Sequence, residues 1–165
     1  MTGSAGSDTG RVDALHAELR CRGETVAVAE SLTAGLLAAA LTGTPGSSAT
    51  FRGGLVVYAT DLKTSLAGVP ADLLARHGPV SGPVAAALAE GVAARLTATY
   101  GVGVTGVAGP DEQDQVGVGT VYVGVAGGGA AASVTAHRFP GDREAIRAAA
   151  VTAALDALAD RLGIR

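Results

Sequence analysis

A chain of 165 residues with a hydrophobic fraction of 48% can bury a full core and is too apolar to stay disordered. A net charge of −3 gives no basic footprint for nucleic acid, and a composition without tryptophan requires a core of Val, Leu, Ile and Ala. The single cysteine, Cys21, excludes an intrachain disulfide and fits a reducing cytoplasm.

The opening MTGSAGSDTG lacks a basic start and an apolar centre, so residues 1–9 read as a flexible tail rather than a signal peptide. Asp8 or Thr9 is placed to cap a helix over 11–22, with Leu15 and Leu19 on one face. ETVAVAE (24–30) reads as a strand, SLTAG as a tight turn, and 36–42 as a short helix ended by Pro45-Gly46. FRGGLVVYAT (51–60) is strand-like. Short helical pieces follow at 61–66 and 71–76, then a long helix over 82–99 with Ser81 as cap and Pro83 in its first turn. GVGVTG (101–106) reads as a buried strand and 108–116 as a polar loop. VGTVYVGVA (118–126) and SVTAHRF (133–139) read as a hairpin, and 142–162 as the closing helix.

Helices between the early strands imply parallel pairing, and the late hairpin implies an antiparallel pair. The expected fold is a three-layer α/β/α sandwich with a mixed, mainly parallel sheet ending in that hairpin. No linker or repeat divides 10–165, so one domain is expected. No apolar run is long enough to span a membrane: 36–41 is short, and Glu90 and Arg95 break the alanine-rich run after Pro83.

GVGVTG formally matches a dinucleotide-binding fingerprint, but its valines are the strand and no helix opens on its glycines. A strand whose glycines admit a close backbone neighbour is the better reading. His16, His77 and His137 are scattered without ligand spacing. Asp111, Glu112 and Asp114 form a solvated loop rather than a metal site.

Three turns carry more. AESLTAG places Glu30, Ser31 and Thr33 at the carboxyl end of a strand, the edge where open α/β sheets bind ligands. TGVAGP places Thr105 at the end of another strand. GDREAIR sets Arg143 and Arg147 against the dipole preference of a helix start, which an anionic ligand would explain. Capping and surface charge account for each of these turns equally well when taken alone. Around the second strand stand Ser48, Tyr58 and Lys63. A serine needs a base, and a lysine serves if desolvation lowers its pKa. On residue types alone, Ser48 reads better as a turn residue after Pro45-Gly46, and Lys63 as a solvated helix residue.

AESLTAGLLAAALTGTPGSSATFRGGLVVYATDLK, HGPVSGPVAAALAEG, GVGVTGVAGP, VGTVYVGVA and FPGDREAIR together resemble the C-terminal domain of the CinA family, the nicotinamide-nucleotide amidohydrolases, in order from about residue 25 to 162. The resemblance implies hydrolysis of the carboxamide of nicotinamide mononucleotide to nicotinate mononucleotide and ammonia, as a step in pyridine nucleotide recycling. Ser48 would be the nucleophile, Lys63 the base and Tyr58 their assistant, with no metal or other cofactor. It puts Ser31, Thr33, Gly35, Thr105, Gly106 and Arg143 around the substrate. Larger members carry a molybdopterin-binding-like domain, for which 165 residues leave no room, so the stand-alone form is expected. Two departures from the family pattern are Ala34-Gly35 after the serine–threonine turn and DEQDQVG at 111–117 in place of a glycine-rich loop. Both bear on substrate fit. The alternatives are a non-catalytic nucleotide- or protein-binding module and an amidase for another small amide. Neither nucleic acid nor membrane is an expected partner, and alanine-rich helices suggest a homo-oligomer, with a homodimer the simplest.

Overall fold

The computed structural model describes residues 5–164. Its sheet has five strands in the order β2-β1-β3-β4-β5. These are β1 (Val26–Glu30), β2 (Phe51–Val56), β3 (Tyr100–Gly106), β4 (Thr120–Gly127) and β5 (Ala130–Arg138). β1 pairs in parallel with β2 and β3, whereas β3 with β4 and β4 with β5 are antiparallel. The helices are α1 (Ala5–Arg22), α2 (Leu36–Thr42), α3 (Thr60–Ser65), α4 (Ala71–His77), α5 (Gly82–Arg95) and α6 (Arg143–Leu162).

Side-chain alternation along β1 builds the three layers. Val26 and Val28 face a core shared with Leu15 and Leu19 of α1, Leu37 and Leu41 of α2, and Leu155 and Leu158 of α6. Ala27 and Ala29 face the opposite core, formed with Val57, Val69 and Val84, Leu88 and Val92 of α5. The mixed α/β/α sandwich expected from the sequence is observed, with the four strand pairings divided evenly between parallel and antiparallel.

The glycines of GVGVTG serve packing. A Cβ on Gly101 would run into the Ala89 carbonyl of α5, and one on Gly103 would lie 2.5 Å from the Ala85 carbonyl. α5 therefore rests directly on the backbone of β3.

α1 begins earlier than its expected caps. Asp8 and Thr9 lie within it, and Asp8 accepts hydrogen bonds from Arg11 at 3.4 Å and from the Thr152 hydroxyl of α6 at 3.3 Å. The expected tail thus overlaps a helix from Ala5 onward, and its first four residues lie outside the described residues. α5 stops at Arg95 rather than at Thr99, because Thr97 at φ 53° leaves the helical region and turns the chain towards β3. Among the described residues no helix is long and apolar enough to cross a membrane.

Candidate active site

The carboxyl ends of β1 and β2 lie side by side, with Glu30 in register with Val56. Whatever follows each strand therefore meets. Ser31 follows β1, and Lys63 lies in α3, which follows β2. The Lys63 side chain turns back under this edge and is 2% exposed. Its Nζ donates to the Val57 carbonyl at 2.9 Å, to Ser31 Oγ at 3.1 Å and to the Tyr58 carbonyl at 3.4 Å. All three partners are neutral, so no opposite charge offsets desolvation, and burial lowers its pKa to about 8. A lysine so placed is partly neutral near physiological pH and can accept the proton of the hydroxyl it touches.

Ser31 is held by a strand–turn–helix unit. Its N–H donates to the Val104 carbonyl of β3 at 3.0 Å. Ala34 at φ 47° and Gly35 at φ 101° reverse the chain into α2. Buried Glu30 accepts from the N–H groups of Leu37 at 2.8 Å and Ala38 at 3.0 Å, which caps α2 from the strand below. Arg147 of α6 donates to the carbonyls of Leu32 at 2.8 Å and Thr33 at 3.2 Å. The turn is thus clamped from both sides, while the N–H groups of Leu32 and Thr33 find no acceptor among the described residues.

The structure corrects the placement of Ser48. It sits in a short 3₁₀ turn, Ser47–Ala49, ahead of β2, whereas Lys63 comes after it. A six-residue strand at ~3.3 Å per residue separates the two by roughly 20 Å. The Ser48 turn is pinned at the far edge by buried His16, whose Nδ1 pairs with Thr50 Oγ1 and whose Nε2 donates to the Leu41 carbonyl, both at 2.6 Å. Ser31 occupies the position beside Lys63 that the sequence reading gave to Ser48. Parallel register was the signal that could have found it.

Ser31, Tyr58, Gly106, Asp111, Gln113 and Arg143 line one pocket of about 150 Å³. Arg143 donates to the Gly109 carbonyl at 2.7 Å and to the Tyr58 hydroxyl at 3.1 Å, joining α6 to the pocket rim. The remaining expected contact residues stand behind it. Thr33 is fully buried, and its hydroxyl has no partner among the described residues. Thr105 is also buried and donates to the Pro79 carbonyl at 2.7 Å. Gly35 serves as the left-handed residue ahead of α2. Sequence reasoning missed Glu30 as a cap and Arg147 as a brace.

A three-layer α/β fold with a buried serine–lysine pair, opening on a pocket at the carboxyl edge of its parallel strands, defines the class of protein. The chain belongs to the CinA C-terminal domain family, whose profile matches residues 2–162. A CinA-like protein of Frankia casuarinae is 56% identical over 137 residues, covering 82% of this chain and 31% of that protein. One from an Anaeromyxobacter species is 51% identical over 150 residues, covering 90% of this chain and 36% of that protein. The chain spans about a third of the length of these curated relatives. Among solved structures, the competence/damage inducible protein CihA from Agrobacterium tumefaciens superposes with a TM-score of 0.91 at 33% identity, covering 99% of both chains. A CinA superfamily protein from Klebsiella pneumoniae gives 0.88 at 32% identity, covering 96% of this chain and 98% of that one.

Proposed function

We propose that this protein hydrolyses the carboxamide of nicotinamide mononucleotide, with Ser31 as nucleophile and Lys63 as base. The observation that carries the reading is the 3.1 Å contact between Lys63 Nζ and Ser31 Oγ inside a site whose burial lowers the lysine's pKa to about 8. Neutral Lys63 takes the hydroxyl proton as Oγ attacks the carboxamide carbon. The N–H groups of Leu32 and Thr33 stand next to the nucleophile and are free to stabilise the oxyanion. Protonated Lys63 then gives its proton to the departing nitrogen, which leaves as ammonia and an acyl-Ser31 ester. Water attacks the ester, Lys63 takes its proton and returns it to Oγ, and the acid is released.

The 150 Å³ pocket suits the ring that carries the amide. Arg143 also lines an adjoining groove with Leu36, Glu144 and Arg147, about 500 Å³ in volume, which offers cationic walls to the ribose phosphate. Tyr58, 56% exposed, lines the pocket and accepts a hydrogen bond from Arg143, the residue that lines both.

An ammonia-release assay across nicotinamide mononucleotide, nicotinamide, its dinucleotide and simple amides tests the proposal. Preferred release from the mononucleotide is expected. Release from none of them would leave a binding module as the correct reading.

A further inference from the structure

The loop that departs from the family pattern forms one wall of the reaction pocket, through Asp111 and Gln113. It is a built element. Gln113 and Val116 exchange backbone hydrogen bonds at 3.2 and 2.8 Å, and Asp114 and Gln115 close the tight turn between them at φ 49° and 63°. Arg143 anchors the loop's start through the Gly109 carbonyl. Two charged side chains line the pocket, Arg143 and Asp111. Arg143 already donates to Gly109 and Tyr58, whereas the side chains of Asp111 and Gln113 have no partner among the described residues.

We infer that this wall reads the substrate's ring, with Asp111 selecting a ring that bears a positive charge beside the carboxamide. An unpaired carboxylate lining the same small pocket as the nucleophile attracts a cationic ring and disfavours one that already carries a carboxylate. Gln113 adds a donor and an acceptor for the ring's polar edge. An N-substituted pyridinium carboxamide meets these demands, and a neutral aromatic amide of the same shape does not. The inference rests on the amidase reading for its substrate but concerns binding, so the two are separable.

The test is calorimetric binding of 1-methylpyridinium-3-carboxamide and its neutral isostere 3-methylbenzamide to the wild type, Asp111→Asn and Asp111→Glu, at low and high salt. The wild type should favour the cation by about three- to fivefold, the range of a solvent-accessible ion pair, and less at high salt. Asp111→Asn should lose the preference and Asp111→Glu should keep part of it. Equal binding of both probes by the wild type, or an unchanged preference in Asp111→Asn, would overturn the inference. A protein that prefers the cation but hydrolyses no amide would sink the amidase reading and leave this one standing.

Discussion

Lys63 places an ammonium group among two carbonyls and a hydroxyl with no carboxylate to meet it. Its pKa falls from 10.5 to about 8, a shift worth about 3 kcal/mol at 1.36 kcal/mol per unit. Two consequences follow from the same sign. The rate should rise with pH through about 8, since the neutral form is the base. Below that pH both folded and unfolded states hold the proton and the full cost of burying the charge applies. Above it the folded state releases the proton first, so stability should climb between about pH 8 and 10.5. Urea midpoints across that window should rise for the wild type, with the slope absent from Lys63→Met. A flat difference would mean that the lysine is not desolvated in solution. The apolar strand running into Tyr58 and Lys63 drew attention to them, but their expected roles came from the family resemblance. Ser48, which the resemblance supplied as nucleophile, lies at the other end of the strand, and Ser31 is the serine in contact with Lys63.

At the scale of elements, the turn at 31–35 is shaped by groups that the sequence presents as surface charge. Arg147 at a helix start ran against the dipole preference and suggested an anionic ligand. In the structure its guanidinium spans two carbonyls of the turn instead. Arg143, whose side chain is exposed, remains the candidate for phosphate. The two should therefore separate kinetically. Arg143→Ala should raise KM for the phosphorylated substrate about ten- to a hundredfold, from about 1.5–3 kcal/mol of lost charge-assisted bonding. Arg147→Ala should chiefly lower kcat and the melting temperature, because it frees the nucleophile's turn. Steady-state kinetics of both variants decide it. An unchanged KM in Arg143→Ala would move the phosphate elsewhere.

For the whole molecule, periodicity carried most of the outcome. Helices between the early strands gave the parallel half of the sheet, and the glycine-flanked hairpin gave the antiparallel β4–β5 pair, whereas the antiparallel β3–β4 pairing, which makes the sheet evenly mixed rather than mainly parallel, was not anticipated. The same reading already puts the turn before β2 and the helix after it at opposite ends of that strand, which separates Ser48 from Lys63. The glycines of β3 tie fold to site, because α5 can approach the sheet only where side chains are missing. Gly103→Ala should push α5 off β3 and cost several kcal/mol, about the scale of overpacking a tight core. Thermal melting by circular dichroism measures this. A loss below about 0.5 kcal/mol, the scale of an ordinary surface change, would mean that the helix does not lie on the bare backbone.

The central claim is that the nucleophile is the serine at the end of β1 rather than the one ahead of β2. Single-turnover deamidation of nicotinamide mononucleotide by Ser31→Ala, Ser48→Ala and Lys63→Arg, each checked for folding, tests it most directly. Ser31→Ala and Lys63→Arg should both fall by at least about a thousandfold, since arginine cannot surrender its proton at usable pH. Ser48→Ala should stay within about threefold of the wild type, as expected for an exposed turn residue away from the pocket. A folded Ser31→Ala that keeps its activity, or a Ser48→Ala that loses it, would contradict the account.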